Sequence, residues 1–268
     1  MQSLKPKKSL GQHFLVNQGA VKAICEVALA SPAETILEIG PGQGVLTDIL
    51  LRDGRPLSAI ELDHSACQLL NQRYSQTTNF CLIQGDALSV ELPISKSICV
   101  VGNLPYNVAT AILTRLLLEP IPWERMVLMF QLEVGEKLLG QANQKTYGPL
   151  SVLAKSVANI KTILKLTPGS FNPPPKVDSI VVLLEPLQDA PTWDERKALL
   201  ALLHRSFAHR RKTITNNWLQ IFSSQQINAI CHATDISPSA RAESISPKKW
   251  VEIARYSNMS HFQNPTDL

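Results

Sequence analysis

The sequence lacks the features that mark secreted, membrane-spanning and metal-binding proteins. Its five cysteines form no C-x-x-C pair, and its six histidines show no clustered metal-ligand spacing. No apolar run approaches the roughly 18 residues that are needed to span a bilayer. The opening segment, MQSLKPKKSLGQHFL, has no apolar stretch of the kind found in secretory signals. These absences predict reduced thiols, no metal site, no membrane contact and a cytoplasmic location.

Charge of one sign is not in large excess, so its placement matters more than its sum. The net charge is +4 and the sequence pI is about 8.8. The chain has two basic runs. The first consists of lysines that precede any acidic residue: Lys5, Lys7, Lys8 and Lys22. The second extends from His204 to Lys212, reads HRSFAHRRK and contains no acid. Two such runs favour a polyanionic partner such as nucleic acid, with a solvated helix face as the alternative for each.

Apolar, strand-like runs alternate with helical patterns over most of the chain. This alternation predicts an α/β fold with a Rossmann-like, mostly parallel sheet covered by helices on both faces. Five runs are followed by two that predict an antiparallel pair at one edge, which gives seven strands: 35–39, 57–62, 80–84, 98–101, 126–130, 160–166 and 179–184. Beyond Pro186 the patterns are helical only. We therefore predict a sheet domain over residues 1–190 and a small all-α domain over residues 191–268.

Polar residues and glycines follow the ends of the first four predicted strands. The first strand enters the turn 40–44, GPGQG, whose following Val45 departs from the dinucleotide pattern G-x-G-x-x-G. Glu61 closes the second strand at about the 20-residue distance at which an acid accepts ribose hydroxyls. Asp86 and Asn103 end the next two strands. Because such ends converge on the ligand crevice, we predict a nucleoside-containing cofactor there, although each acid alone could be a loop residue or helix cap.

The four residues 103–106, NLPY, combine an uncharged acceptor, a rigid turn and an aromatic ring. Asn103 can accept a hydrogen bond from an amine without adding charge. Pro105 biases Leu104 toward an extended backbone, which leaves the Leu104 carbonyl to accept a second bond. Tyr106 offers a face for stacking. The loop is typical of a site for a flat base that carries an amino group, while an ordinary strand-ending turn is the alternative.

Taken in order, six segments resemble the KsgA/RsmA family of ribosomal RNA adenine dimethyltransferases: GQHFL, EIGPGQG, ELD, GDAL, NLPYN and FNPPPKVDS. The resemblance runs from about Lys8 to Lys212. It implies S-adenosylmethionine as methyl donor and N6,N6-dimethylation of two adjacent adenosines. These would lie in a hairpin near the 3′ end of 16S small-subunit ribosomal RNA, modified during subunit biogenesis. We expect the enzyme to be a monomer.

The same resemblance implies the residues that contact the cofactor. The set is His13, Leu15, Gly40, Gly42, Glu61, Asp86 and Asn103. His13 and Leu15 would fold over the cofactor and Gly40 would lie under its methionine part. Glu61 would hold the ribose, Asp86 the adenine amine, and Asn103 would face both the sulfonium and the target nitrogen. For His13, a surface histidine that caps a helix is the alternative.

Two further sets of residues are predicted to contact RNA. Phe171 is the candidate second wall of the base pocket, opposite Tyr106, because the prolines 173–175 stiffen its loop. A core phenylalanine is the alternative there. In the helical domain, a basic cluster is predicted to bind phosphates: Arg205, Arg210, Arg211 and Lys212.

Two other functions stay open at this point. One is a large-subunit ribosomal RNA adenine methyltransferase of the antibiotic-resistance class, against which HRRKTITNN favours the small-subunit family. The other is a ribosome assembly factor that acts mainly by binding, since the fold alone permits loss of chemistry. The presence of Glu61, Asp86 and Asn103 together argues against that loss.

Overall fold

The computed structural model describes residues 6–7, 11–93 and 97–261. Nine strands lie in this part of the chain: β1 Phe14–Leu15, β2 Thr35–Ile39, β3 Leu57–Glu61, β4 Phe80–Gln84, β5 Ile98–Asn103, β6 Trp123–Gln131, β7 Ala158–Leu166, β8 Phe171–Asn172 and β9 Ser179–Pro186. The helices are α1 Gln18–Leu29, α2 Thr47–Leu50, α3 His64–Arg73, α4 Ala109–Leu118, α5 Leu132–Leu139, α6 Pro149–Val157, α7 Trp193–Ser206, α8 Ile214–Trp218, α9 Ser224–Ala233 and α10 Pro247–His261.

The main sheet has seven strands in the order β4-β3-β2-β5-β6-β9-β7. β4, β3, β2, β5 and β6 run parallel, and β9 runs antiparallel to β6. The chain passes from β2 outward to β4 and then returns to place β5 on the other side of β2. This reversal is the switch point at which open α/β sheets bind ligands. It places the ends of β2 and β5, with Gly40 and Asn103, beside the same crevice.

The central strands are apolar because both of their faces are covered. In β5 the residues from Ile98 to Gly102 are buried, and in β9 those from Ser179 to Leu184. Strands in this position read as continuous hydrophobic runs rather than as an alternation. That property makes them visible in the sequence, and the predicted seven-stranded, mostly parallel sheet is confirmed.

A second, two-stranded sheet was not predicted. It pairs β1 with β8 in antiparallel register, with Phe14 opposite Asn172 and Leu15 opposite Phe171. Each strand has only two residues and therefore carries no periodicity that a sequence pattern could show. The pairing connects the segment before α1 to the proline-rich loop before β9.

The chain divides into two compact units. The first comprises residues 1–135 and 159–186, and the second comprises residues 136–158 and 187–268. The predicted single boundary near Pro191 therefore differs from the observed division, because the second unit also takes in α6. In that unit α6 packs against α7 and α10, and its Val152, Leu153 and Ala154 are buried.

Other features of the described chain concern thiols, metals and membranes. Cys25, Cys67, Cys99 and Cys231 are buried free thiols, and Cys81 is an exposed one. Within residues 6–7, 11–93 and 97–261, no group of three or more His, Cys, Asp or Glu side chains is arranged to hold a metal ion. Among the helices of the same ranges, none combines the length and the apolar character required to cross a membrane.

Candidate active site

Two adjoining cavities open where the parallel strands end. They share walls formed by Phe14, Gly40, Gly42 and Asn103. The predicted residues that line the first cavity are His13, Gly40, Gly42, Glu61, Asp86, Asn103, Leu104 and Tyr106. Leu15 lines the second cavity. The fold thus brings together every residue that was predicted to contact the cofactor.

The glycine turn forms the floor between the cavities. Gly40 has a φ of +70°, and a side chain there would start 3.4 Å from the Asn103 carbonyl oxygen. Gly42 has a φ of +56°, and its added Cβ would meet the Phe14 ring at 3.1 Å. Positive φ and close approach together favour glycine at both positions. The result is bare backbone on which a ligand can lie.

The Glu61 carboxylate is fixed by two backbone donors. Its Oε2 accepts a hydrogen bond from the Gly42 N–H at 2.9 Å, and its Oε1 accepts one from the Asp63 N–H at 2.8 Å. Burial raises the pKa of this carboxyl, while the two backbone bonds act in the opposite direction. A carboxylate has about four lone-pair sites. Glu61 therefore keeps acceptor capacity for a pair of hydroxyls in the cavity.

Asp86 combines a structural role with its place in the cavity wall. It is exposed in the loop after β4, and its Oδ1 accepts a hydrogen bond from the Leu88 N–H at 2.9 Å. The loop-capping alternative and the predicted contact with an adenine amine are thus compatible.

Asn103 ends β5 and lines both cavities. Its Nδ2 donates a hydrogen bond to the His13 carbonyl oxygen at 3.0 Å. Since the amide nitrogen is held there, the orientation of the side chain is set and Oδ1 is the atom that can accept a bond from a ligand.

Tyr106 is held at its edge and on its face. Its hydroxyl lies 2.6 Å from the Ser179 Oγ, and burial raises the pKa of the phenol. The His13 ring stacks on it with centroids 5.4 Å apart and planes 25° apart. His13 Nδ1 donates to the Pro173 carbonyl at 2.8 Å. The alternative of a helix-capping histidine is excluded, because Asn17 caps α1.

The structure does not place Phe171 in the wall of the base pocket. Its side chain is 3% exposed, it belongs to the hydrophobic core, and it lines neither of the two cavities. The pairing of β8 with β1 places it opposite Leu15, which is also buried in that core. This burial matches the alternative of a core phenylalanine. The ring that stacks on Tyr106 is that of His13 instead.

The predicted RNA-binding residues lie in the second unit. Arg205 is in the last turn of α7, and Arg210, Arg211 and Lys212 follow in the next turn, all of them exposed. Arg210 donates to the Lys145 carbonyl at 3.0 Å. An RNA contact and the solvated alternative both require exposed side chains, so the exposure of these residues does not distinguish between them. In the first basic run, Lys5 and Lys8 lie outside the described residues.

Among the residues of the site that were not predicted are Gln12, Phe14, Asp63 and Ser179. Gln12 and Phe14 line the first cavity, Asp63 accepts a hydrogen bond from Gln12, and the Ser179 hydroxyl lies within hydrogen-bond distance of Tyr106. The motifs GQHFL, ELD and FNPPPKVDS contain all four. Their contacts join residues that are far apart in the chain, so the motifs marked the residues without revealing their partners.

Glu38 lies under the glycine turn with its carboxyl buried. Its Oε2 accepts a hydrogen bond from the Thr47 hydroxyl at 2.7 Å. Burial raises the pKa of Glu38 from 4.5 to about 8, and the nearby Glu61 and Asp48 carboxylates add to that effect. Folding therefore takes up a proton at this group between these two values. The stabilisation is fully present below pH 4.5 and is lost as the pH rises through about 8.

We expect the free energy of unfolding to fall by roughly 2 kcal/mol between pH 6 and 8 because of Glu38. The Glu38→Gln variant, which can still accept the Thr47 bond, should lose most of that fall. Urea unfolding at both pH values measures the difference. Glu34→Gln, at an exposed position, is the matched control and should keep the wild-type dependence. A pH dependence unchanged in Glu38→Gln would show that Glu38 does not titrate in this range.

Comparison with known proteins decides the family. The family profile for ribosomal RNA adenine dimethylase matches residues 3–259. A ribosomal RNA small subunit methyltransferase A from Trichormus variabilis is 37% identical over 264 residues, covering 94% of this chain and 97% of that protein. The chain belongs to the ribosomal RNA adenine dimethylase family. It is accordingly an S-adenosylmethionine-dependent methyltransferase that acts on ribosomal RNA.

Two solved structures share the fold of this dimethylase. A dimethyladenosine transferase from Plasmodium falciparum has a TM-score of 0.76 and 23% identity, covering 93% of this chain and 98% of that one. The 23S rRNA methyltransferase ErmE has a TM-score of 0.68 and 23% identity, covering 91% and 99%. At these identities the likeness concerns the fold alone.

The walls of the two cavities suit S-adenosylmethionine. Glu61 offers a fixed carboxylate to a ribose diol, Asp86 offers an acceptor to an adenine amine, and the bare backbone at Gly40 and Gly42 leaves room beside them. When bound, the cofactor supplies a methyl group activated by a positively charged sulfur. The dimethylase has to hold it and to orient the accepting base.

Proposed function

We propose that this dimethylase converts two adjacent adenosines, in a hairpin near the 3′ end of 16S ribosomal RNA, to N6,N6-dimethyladenosine during small-subunit biogenesis. The observation that carries the proposal is the orientation of Asn103, whose amide nitrogen is held by the His13 carbonyl. The name of the Trichormus relative, a small subunit methyltransferase, supports the choice of subunit. We place the reaction in the cytoplasm, carried out by a monomer.

Asn103 and Leu104 would act by directing the lone pair of the target nitrogen. An adenine amine has two N–H groups, which the Asn103 Oδ1 and the Leu104 carbonyl can accept. In the first transfer both hydrogens are held and the nitrogen lone pair is aimed at the methyl donor. In the second transfer only one N–H remains to be held, and it is the proton lost in that step. Asn103 is neutral and does not act as a base, so the proton that the amine loses passes to water. The Tyr106 ring stabilises the positive charge that develops on nitrogen.

The substrate and product can be tested directly. Purified enzyme is supplied with labelled S-adenosylmethionine and with unmethylated small or large ribosomal subunits in parallel, followed by nucleoside analysis. We expect N6,N6-dimethyladenosine in the small subunit only. Label confined to the large subunit would instead support the function named for ErmE. Subunit maturation that is normal with an inactive Asn103→Ala protein would support an assembly factor that acts by binding.

We also propose that Arg205, Arg210, Arg211 and Lys212 contact RNA phosphates. Reversing charge at Arg210 and Arg211 together should weaken RNA affinity and reduce the slope of log affinity against log salt by about 1–2. Cofactor affinity should not change. Binding of a labelled small-subunit hairpin at several salt concentrations measures the slope.

The control for this prediction is a charge reversal elsewhere on the protein surface. Lys161→Glu and Lys197→Glu alter lysines that are 67% and 62% exposed and outside the basic cluster. The double control should keep the wild-type slope. A slope equal to wild type in the Arg210 and Arg211 variant would show that the cluster faces solvent and does not contact RNA phosphates.

A further inference from the structure

The strap, residues Gly11 to Leu15, forms one wall of the cofactor cavity. One of its ends is held by backbone. There β1 pairs with β8, and the Val16 N–H donates to the Ser170 carbonyl at 2.9 Å. The other end has no strand pairing in the described part of the chain and is held by side chains.

Those side chains meet at Asp63. The Gln12 Nε2 donates to Asp63 Oδ2 at 2.9 Å, and the Lys7 Nζ lies 2.6 Å from Oδ1. The Lys7 N–H also donates to the Gln12 Oε1 at 2.8 Å. The Asp63 side chain is 2% exposed, whereas Lys7 is 45% exposed. The contact with Gln12 is thus the more shielded of the two.

Asp63 also contacts the residue that is assigned to the ribose. Its N–H donates to the Glu61 carboxylate, and its Oδ1 accepts from the Ser65 N–H at the start of α3. At the other side of the strap, the His13 carbonyl accepts from Asn103. A short series of hydrogen bonds therefore runs from Glu61 through Asp63 and Gln12 to the strap and on to Asn103.

We propose that Asp63 is a positioning residue that closes the strap over the bound cofactor through Gln12. The proposal rests on the assignment of the cavity to S-adenosylmethionine. Asp63 touches neither reacting atom. It acts by holding Gln12, and with it the backbone that covers the ligand and orients Asn103. A strap released at this end would let the cofactor leave faster and would leave Asn103 less firmly oriented.

Two variants distinguish an effect on the strap from an effect on the fold. Asp63→Ser keeps a side chain that can cap α3 but is too short to reach the strap. Gln12→Ala removes the donor from the other side. We expect each to weaken S-adenosylhomocysteine binding about tenfold, equivalent to ~1.4 kcal/mol. The losses should not add fully in the double variant, because both single variants remove the Gln12–Asp63 contact.

Calorimetry of S-adenosylhomocysteine binding is combined with amide hydrogen exchange of residues 11–15 in the complex. Exchange in the strap should rise in Asp63→Ser and Gln12→Ala. In steady-state assays KM for S-adenosylmethionine should rise, with a smaller fall in kcat because Asn103 is less firmly oriented, and RNA affinity should not change. The melting temperature of Gln12→Ala, which leaves the Lys7–Asp63 ion pair in place, should match wild type. Asp194→Asn, which alters a carboxylate that is 98% exposed in the second unit, is the control for charge and should match wild type.

Glu61→Gln distinguishes failure of this proposal from failure of the assigned site. If Glu61→Gln weakens binding while Asp63→Ser and Gln12→Ala bind within twofold of wild type, the strap proposal is overturned and the site stands. If Glu61→Gln also binds normally, the cavity is not the cofactor site and both fall. Fully additive losses in the double variant would show that Asp63 and Gln12 do not act through a shared contact, and would likewise overturn the strap proposal.

Discussion

Replacing Asn103 by alanine is expected to lower kcat by about 10²–10³ while leaving cofactor affinity within a few fold. Losing one preorganised hydrogen-bonding group from an active site has an effect of that size. Here the lost atom is the Oδ1 that we propose orients the target amine, and the His13 carbonyl loses its donor at the same time. The contacts that we propose for the cofactor with Glu61 and the glycine turn would remain. Single-turnover methylation of small subunits measures the step directly.

Asn103→Asp and Asn216→Ala complete this experiment. The Asn103→Asp variant would keep an acceptor oxygen but lose the bond to His13, so we expect partial activity at most. Asn216 is exposed in the second unit, and its replacement should leave kcat unchanged. Full activity in Asn103→Ala would remove Asn103 from the chemistry and with it the basis for assigning the base pocket.

Replacing Glu61 by glutamine is expected to weaken S-adenosylmethionine binding about 100-fold. Hydrogen bonds to a charged acceptor contribute about 1.5–3 kcal/mol each. The new amide group would also set an N–H against the N–H of Gly42 or Asp63, which now donate to the two carboxylate oxygens. Equilibrium binding of the cofactor, without RNA, measures the loss.

The same carboxylate predicts a pH dependence of cofactor binding. Because burial raises the pKa of Glu61, the group is protonated at a higher pH than an exposed carboxyl. Affinity should therefore fall as the pH drops through that raised pKa, and the Glu61→Gln variant should lack this fall. Glu124→Gln, on an exposed part of β6, should behave as wild type. Identical pH profiles for wild type and Glu61→Gln would exclude the carboxylate as the titrating ligand.

The sequence predicted the strands, their ends and the glycine turn, because in these features the local sequence pattern follows directly from the position in the fold. The apolar run before Asn103 is a central strand buried on both faces, so its composition alone indicated the strand and its end. Parallel strands end at one edge of a sheet, so the sequence alone predicted that Glu61, Asp86 and Asn103 lie together. The glycine turn could be predicted from composition because residues 40 and 42 have positive φ, which strongly favours glycine.

The sequence was uninformative where a residue's role depends on a distant partner. Phe171 could equally have faced the cavity or the core, and the choice is made by its pairing opposite Leu15. His13 could have been a surface residue, and its stacking on Tyr106 depends on the fold of the strap. Asp63 lies in the motif ELD, but its partners Lys7 and Gln12 are more than fifty positions away. Local propensity does not encode such contacts.

The composition of the second unit has a practical consequence for dissecting the enzyme. Because residues 136–158 belong to it, a truncation after Pro186 would keep α6 but delete α7 and α10, on which α6 packs. The face of α6 that packs on α7 and α10 would then be exposed to solvent, and the fragment should aggregate. A minimal catalyst would instead require two cuts, with a short linker in place of residues 136–158.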